Sequence, residues 1–399
     1  MKILLVTAGS RGDFEPFYAF AQRATELGHE VYLSVTEEFQ PRLTKVDFNV
    51  LKLPGSIQYF VKKNGVSIIK NTFDFLPNVR PFVVKILDTA AEQIFEIKPD
   101  VVLYHPTVLT APIAARSVGA ISGLVEIIPI LTPTSEFASA GLWTSNLGFL
   151  NKLTYKGVVL AEKLFFLETF KWSRKLNVKN KKHDFSLSLT SPALLNRPKD
   201  WPSNTHLVGP WFKKDNKSLS PIVADFVQKK PTVYAGFGSM KKGNPEKIAT
   251  EIVKGCKALN MQVIISAGWG GLSVGPQFKD DPEVLFIETV SHSKLFPLVE
   301  VILHHGGIGT THAALRAGTP SVIVPFIVDQ PWWAHKLNKQ KLGPKSLPLR
   351  KLRSKNVSKR INQALEYKQN VMAISNKMKD DNGVEETLKI IEEYFASKS

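Results

Sequence analysis

A chain of 399 residues with 43% hydrophobic side chains can bury two cores, and its one cysteine, Cys256, excludes an intramolecular disulfide framework and a thiolate metal cage. The formal charge of +17 is concentrated: residues 151–182 carry nine Lys/Arg against two Glu, and residues 345–360 carry seven with no acid. No apolar run approaches the roughly 20 residues of a membrane-spanning helix, and the apolar run after Lys2 is too short for a signal-peptide core, so a cytoplasmic protein is expected.

Short runs rich in Ile, Val and Leu alternate with helical stretches from end to end, the pattern of parallel sheets covered on both faces. KILLVTA (2–8) predicts a strand, GSRGD (9–13) a glycine turn, the next stretch a helix stopped by Gly28, and EVYLSV (30–35) a second strand. DVVLYH (100–105) predicts another. The apolar, aromatic-rich stretch 120–172 interrupts this regularity, as the lining of a ligand crevice or a helical insertion would. Its basic part, 151–182, carries Tyr155, Phe165, Phe166, Phe170 and Trp172. That composition suits either a solvated helix face with its aromatics in the core, or contact with an anionic membrane. No zinc-finger spacing or RNA-binding aromatic motif accompanies the charge, so nucleic acid is not expected as a partner.

The polar stretch WFKKDNKSLSPI (211–222) marks a division. Beyond it TVYAGFG (232–238), QVIISAG (262–268), EVLFIE (283–288), VILHH (301–305) and SVIVPF (321–326) predict five more strands, with Pro245 opening a helix between the first two. Two units that each begin with a strand and a glycine loop imply an α/β protein of two doubly wound, Rossmann-like domains. The expected boundaries are 1–212, a linker at 213–222, a second domain at 223–375, and a C-terminal helix in 376–399 packing back on the first domain.

The stretch LHHGGIGTTHAALRAG (303–318) takes a strand end through a glycine turn into a helix. Unpaired N–H groups and a partial positive charge gather at such a helix N-terminus, and phosphate is its usual ligand. Adjacent histidines on a strand point to opposite sides and no third ligand is spaced to join them, which makes a metal site a poor reading. His304 is expected to point into the fold and His305 to open onto the turn.

GSRGDFEPF, AGWGG, HSKLFP, HHGGIGTT, LRAGTPSVIVPF and DQP, in this order and spacing, resemble the family 1 GT-B glycosyltransferases of the sterol glucosyltransferase and glycopeptide-antibiotic glycosyltransferase group. The resemblance implies two Rossmann-like domains facing each other across a cleft. It also implies inverting transfer of a hexose, glucose foremost, from a UDP-sugar to a hydroxyl of a lipophilic acceptor such as a sterol, terpenoid, polyketide or lipid. Asp13 would be the general base, its proton affinity raised by partial desolvation; without the resemblance it reads as a helix cap. The donor would be held by Ser10, Arg11, Ser239, Thr289, Val290, His292, His305, Gly307, Gly309, Thr310, Thr311, Asp329 and Gln330. Asp329 and Gln330 would take the sugar hydroxyls, although capping of the next helix would also explain them.

No Asp-x-Asp sequence occurs, which fits a transfer with no metal and no other cofactor. Phe73, Phe75, Ile130, Phe137 and Trp143 could line an apolar acceptor slot or simply belong to the core. Ser291, Ser293 and Lys294 depart from the usual surroundings of the base-contacting histidine, and Ala313 stands where related plant enzymes carry a ribose-binding acid, so UDP is expected with dTDP open. The alternatives are a non-catalytic lipid or nucleotide-sugar binding protein and a nucleotide-sugar epimerase of the same fold.

Overall fold

The structure, a computed structural model, describes residues 1–56, 79–141, 144–179, 182–213, 218–238, 240, 242–268 and 272–396. The chain divides into two units: Met1–Ser139, Asn146–Lys214 and Asp381–Ser399 make the first, and Ala140–Ser145 with Asp215–Asp380 the second. The division at 214/215 falls inside the expected linker, but 213–222 is not all linker, since a helix already starts at Pro221.

The first unit is built on β1 (Lys2–Thr7), β2 (Glu30–Thr36), β3 (Asn49–Leu53), β4 (Val101–Tyr104), β5 (Ile121–Glu126), β6 (Phe185–Ser188) and β7 (Thr205–Leu207), all parallel, in the order β3-β2-β1-β4-β5-β6-β7. Ile3, Leu4, Leu5 and Val6 of β1 are fully buried, as a central strand covered on both faces requires. Helices α1 (Arg11–Glu26), α2 (Arg80–Ile97), α3 (Ala111–Ser117), α4 (Asn151–Thr154), α5 (Lys156–Lys163) and α6 (Phe166–Lys175) follow in turn. Gly28 ends α1 as expected, with φ +85° and its N–H on the Thr25 carbonyl.

The stretch 120–172 is less irregular than its sequence suggests, because 121–126 is the interior strand β5. Strands β3, β5, β6 and β7 escape the sequence pattern because polar residues or glycine interrupt their apolar runs, and in β6 and β7 the fold satisfies those polar groups internally. The buried Ser186 hydroxyl, for example, donates to Thr205 Oγ1 at 3.0 Å between β6 and β7.

The second unit has β8 (Thr232–Gly236), β9 (Gln262–Ser266), β10 (Val284–Ile287), β11 (Val301–His304) and β12 (Ser321–Ile323), parallel, in the order β10-β9-β8-β11-β12. Alternation splits each strand between two cores. Val233, Ala235, Val263, Ile265, Val301 and Leu303 face one core with Ile252 and Val357; Tyr234, Ile264 and Ile302 face the other with Phe296 and Ala314. Its helices are α7 (Pro221–Lys229), α8 (Pro245–Lys257), α9 (His292–Leu295), α10 (Ile308–Arg316), α11 (Gln330–Lys339), α12 (Ser354–Leu365) and α13 (Lys368–Met378).

The last helix, α14 (Gly383–Ala396), belongs to the first unit. The buried Trp211 indole N–H reaches the Gly383 carbonyl at 3.1 Å and Thr387 Oγ1 at 3.0 Å, and Arg23 of α1 pairs with Glu385 at 2.8 Å. In both units the strand order reverses beside the first strand, between β1 and β4 and between β8 and β11. Open α/β sheets bind ligands at such points, outside the strand C-termini. Among the described residues no helix is long and apolar enough to cross a membrane.

Candidate active site

At the reversal in the first unit, β1 runs through Gly9 into Ser10, the N-cap of α1. Asp13, three residues on, folds its carboxylate back so that Oδ2 accepts from the Ser10 N–H at 2.6 Å and from the Ser10 hydroxyl at 2.9 Å, completing a capping box. This geometry needs glycine before the cap: a Cβ on Gly9 would lie 2.3 Å from Asp13 Oδ2. The first turn is also held by Thr7, whose hydroxyl donates to the Asp13 carbonyl at 3.1 Å.

The second carboxylate oxygen looks elsewhere. His105, just past β4, brings Nε2 to 3.4 Å from Asp13 Oδ1. The ring is fixed from behind, because His105 Nδ1 lies 2.9 Å from Thr107 Oγ1, whose hydroxyl donates to the Ala8 carbonyl at 3.0 Å. An ionised carboxylate can only accept, so the Nε2–H of His105 is the donor in the contact with Asp13, while Nδ1 accepts from the Thr107 N–H at 3.4 Å. His105 therefore orients Asp13 Oδ1 and favours its ionised form. The side chains remain reachable, at 28% exposure for Asp13 and 14% for His105.

The raised proton affinity expected for Asp13 needs correction. Burial does push its carboxyl up, but the hydrogen bond and charge of His105, with the two Ser10 donors, outweigh it and hold the group below the ordinary carboxylate range. The cap and base readings of Asp13 also prove compatible, since each uses a different oxygen. Ser10 is less available than expected: its hydroxyl donates to Asp13 and accepts from the Gly12 N–H. Arg11 turns along the helix to pair with Glu15 at 2.8 Å.

In the second unit β11 ends at His304, which is fully buried and accepts from the Gly306 N–H through Nδ1 at 3.1 Å. Burial, then the neighbouring His305 and His292, hold its imidazole well below the usual range, so it is a neutral core residue. His305 is half-buried, facing the turn after β8 and the N-terminus of α10. A Cβ on Gly307 would come within 2.5 Å of His305 Nε2, so glycine at 307 makes room for the ring. His305 Nδ1 is buried with no partner among the described residues, and burial pushes the ring down to about 4. It is therefore a neutral hydrogen-bonding group near pH 7 rather than a cationic clamp.

Gly307 is the N-cap of α10 and offers no side-chain cap, which leaves the first-turn N–H groups of Ile308, Gly309 and Thr310 without a capping acceptor. Gly309 is exposed with open space where a side chain would stand, and Thr310 is half-buried beside it. Thr311 is fully buried and both its N–H and its hydroxyl bond the Gly307 carbonyl at 3.0 Å, so it is not the phosphate donor expected from the sequence.

Thr289, exposed, and Val290, half-buried, lie just beyond β10 and lead into α9. There His292 stacks on Phe296 at 4.3 Å, with Nε2 3.4 Å from the Tyr234 hydroxyl. Asp329 stands at the N-cap of α11 but makes no capping bond with its side chain. Gln330 is committed more heavily: its Oε1 accepts from the N–H groups of Phe326 and Ile327 at 2.7 and 3.1 Å, and its Nε2 reaches Met240 Sδ. Its carboxamide oxygen thus shapes the 325–330 loop rather than facing a ligand, contrary to expectation.

Of the expected acceptor residues, Ile130 and Phe137 are half-buried in a loop pinned by Ser139 Oγ on the Ile130 carbonyl and by the Tyr155 hydroxyl on the Phe137 carbonyl. The Phe137 ring packs edge-on against Trp201. Phe73, Phe75, Trp143 and Ser239 lie outside the described residues. His105 and Thr107 were missed in the sequence, where the signal available was a histidine at the C-terminal end of a strand, in DVVLYHPT.

Residues 3–128 match the Glycosyltransferase family 28 N-terminal domain, and residues 275–393 match the Erythromycin biosynthesis protein CIII-like C-terminal domain. Two sterol 3-beta-glucosyltransferases of Arabidopsis thaliana are each 27% identical, over 96% and 100% of this chain, which spans 66% of their own length. Among solved structures, a calicheamicin glycosyltransferase superposes with a TM-score of 0.73 at 16% identity, covering 99% of this chain and 98% of that one. An O. sativa protein solved in complex with UDP gives 0.69 at 16%, covering all of both chains.

Proposed function

We propose that this chain, a GT-B protein that resembles the sterol glucosyltransferases over nearly its whole length, is an inverting glycosyltransferase. It moves a hexose, glucose foremost, from a UDP-sugar to a hydroxyl of a lipophilic acceptor of the sterol type. The observation that carries this reading is the α10 N-terminus, where uncapped N–H groups and a buried, unpartnered His305 nitrogen meet at a glycine turn. Such a cradle suits a diphosphate, whose negative charge grows as it leaves.

In this mechanism the acceptor hydroxyl attacks the anomeric carbon from the face opposite the nucleotide. Its O–C1 bond forms as the C1–O bond to UDP breaks, and UDP departs with the electron pair. The hydroxyl proton passes to the Asp13 carboxylate, which the His105 Nε2–H hydrogen bond holds ionised and oriented until it accepts it. The N–H groups of Ile308, Gly309 and Thr310, with neutral His305, take up the leaving charge, so the transfer is proposed to need no metal. Asp329, at the N-terminus of α11, is the proposed ligand of the sugar hydroxyls, by the same resemblance. The test is incubation with UDP-glucose and a panel of sterols, following UDP release and product mass with and without EDTA. Product of one glucose added and unaffected by EDTA supports the proposal; UDP release abolished by EDTA refutes the metal-free account, and no glucoside from any apolar alcohol refutes the acceptor class.

A further inference from the structure

Residues 147–175 of the first unit bury one side and leave a second, apolar side exposed. The side facing the protein combines the buried aromatics Tyr155, Phe165 and Trp172 with polar anchors: Asn151 is fully buried and its side chain donates to the Ser135 carbonyl and accepts from the Leu147 N–H, both at 2.8 Å. Tyr155 is buried with its hydroxyl on the Phe137 carbonyl, and the Trp172 indole N–H reaches Asp88 at 2.6 Å. The outward side is apolar, with Phe149 84%, Leu160 65%, Leu167 68% and Phe166 58% exposed. Helix α5 buries no residue at all. On α6 the exposed Phe166 and Phe170 stack at 5.8 Å along one face, while Thr169 and Trp172 are buried on the other.

The water-facing side of a helix is normally polar, and contiguous apolar surface of this kind marks an interaction site. Its rim identifies the partner. Lys156, Lys163, Lys171 and Arg174 are all exposed around these side chains. A twofold contact with a second copy would set these cations against themselves, whereas anionic lipid headgroups complement them and the acyl boundary accepts Phe and Leu.

We infer that the α5–α6 face is a docking surface for an anionic phospholipid bilayer, with Phe149, Leu160, Phe166 and Leu167 entering the headgroup boundary and the lysines binding the phosphates. This surface requires nothing of the sugar-transfer chemistry and stands or falls apart from it.

The experiment is sedimentation of the full chain with phosphatidylcholine vesicles, alone or containing phosphatidylglycerol, at low and high salt. Two variants are compared with the unaltered chain: Leu160→Asp with Leu167→Asp, and Lys156→Glu with Lys163→Glu. All four positions are exposed, so the fold is expected to persist, checked by an unchanged thermal midpoint and unchanged UDP binding. Binding confined to the anionic vesicles, weakened by salt, and reduced about tenfold or more by each variant supports the docking surface. Failure of the unaltered chain to sediment with anionic vesicles overturns it, as does equal binding by either folded variant. Self-association of the free chain that the leucine variant abolishes overturns it in favour of a second copy.

Discussion

Replacing Asp13 by Asn separates its capping role from the proposed base role. Asparagine keeps an oxygen for the Ser10 N–H but loses the charge that makes the 2.6 Å bond strong and leaves nothing to take a proton beside His105. The capping loss is worth about 1 kcal/mol, small against the roughly 5–15 kcal/mol by which folded chains are stable. Loss of a general base lowers turnover by about 10²–10⁴, or roughly 3–5 kcal/mol of transition-state stabilisation. The variant should therefore melt only a few degrees lower, bind UDP within about twofold of the unaltered chain because the cradle is in the other unit, and release UDP from UDP-glucose and sterol at least about a hundredfold more slowly. Calorimetric titration with UDP and a coupled UDP-release assay decide it. Turnover within threefold of the parent, by rough allowance for assay scatter, refutes the base assignment; loss of UDP binding together with turnover shows a folding defect instead.

His105→Gln removes the hydrogen bond and charge that oppose the burial of Asp13. The Asp13 carboxyl then rises, and since the base works only when ionised, the acid limb of kcat/KM should move to higher pH; an unmoved limb removes His105 from the pair. Gly9→Ala places a methyl 2.3 Å from Asp13 Oδ2 and should expel the carboxylate, matching Asp13→Asn in lost turnover with UDP affinity intact. For the fold as a whole, burial holds His305 at about 4 and His312 at about 3. Each stays neutral in the fold while the unfolded chain protonates near pH 6.5. The stability tied to them is whole above that pH and drains as the pH falls toward 4, by roughly 3 kcal/mol for His305 alone. The thermal midpoint of His305→Ala should accordingly depend less on pH between 7 and 4.5, by about that margin, than that of the unaltered chain.

The eight strands recognised in the sequence carry uninterrupted or nearly uninterrupted apolar runs, mostly buried except in the edge strand β10, and the glycine turns after β1 and β11 stand out because phosphate-type turns demand small residues there. Legibility stopped where a short strand relied on polar residues satisfied by its neighbours, as in β6 and β7. It stopped again at hydrogen-bond commitments. Thr311 looks like a donor until its hydroxyl is found on the Gly307 carbonyl, and Gln330 looks like a sugar ligand until its oxygen is found holding two backbone N–H groups.

The amino-acid sequence by itself determined two parallel α/β units, the helix N-terminus at Gly307 to Thr310, and the place of Asp13 in the first turn of α1. These are local properties, set by periodicity, glycine and capping within a few residues. The tertiary structure alone decided that Asp13 has His105 for a partner, because β1 and β4 pair in parallel and carry both residues past the same sheet edge. It alone decided that Phe149, Phe166 and Phe170 face outward while Tyr155, Phe165 and Trp172 face the core, since which side of a helix meets the core depends on what the rest of the chain leaves to pack against.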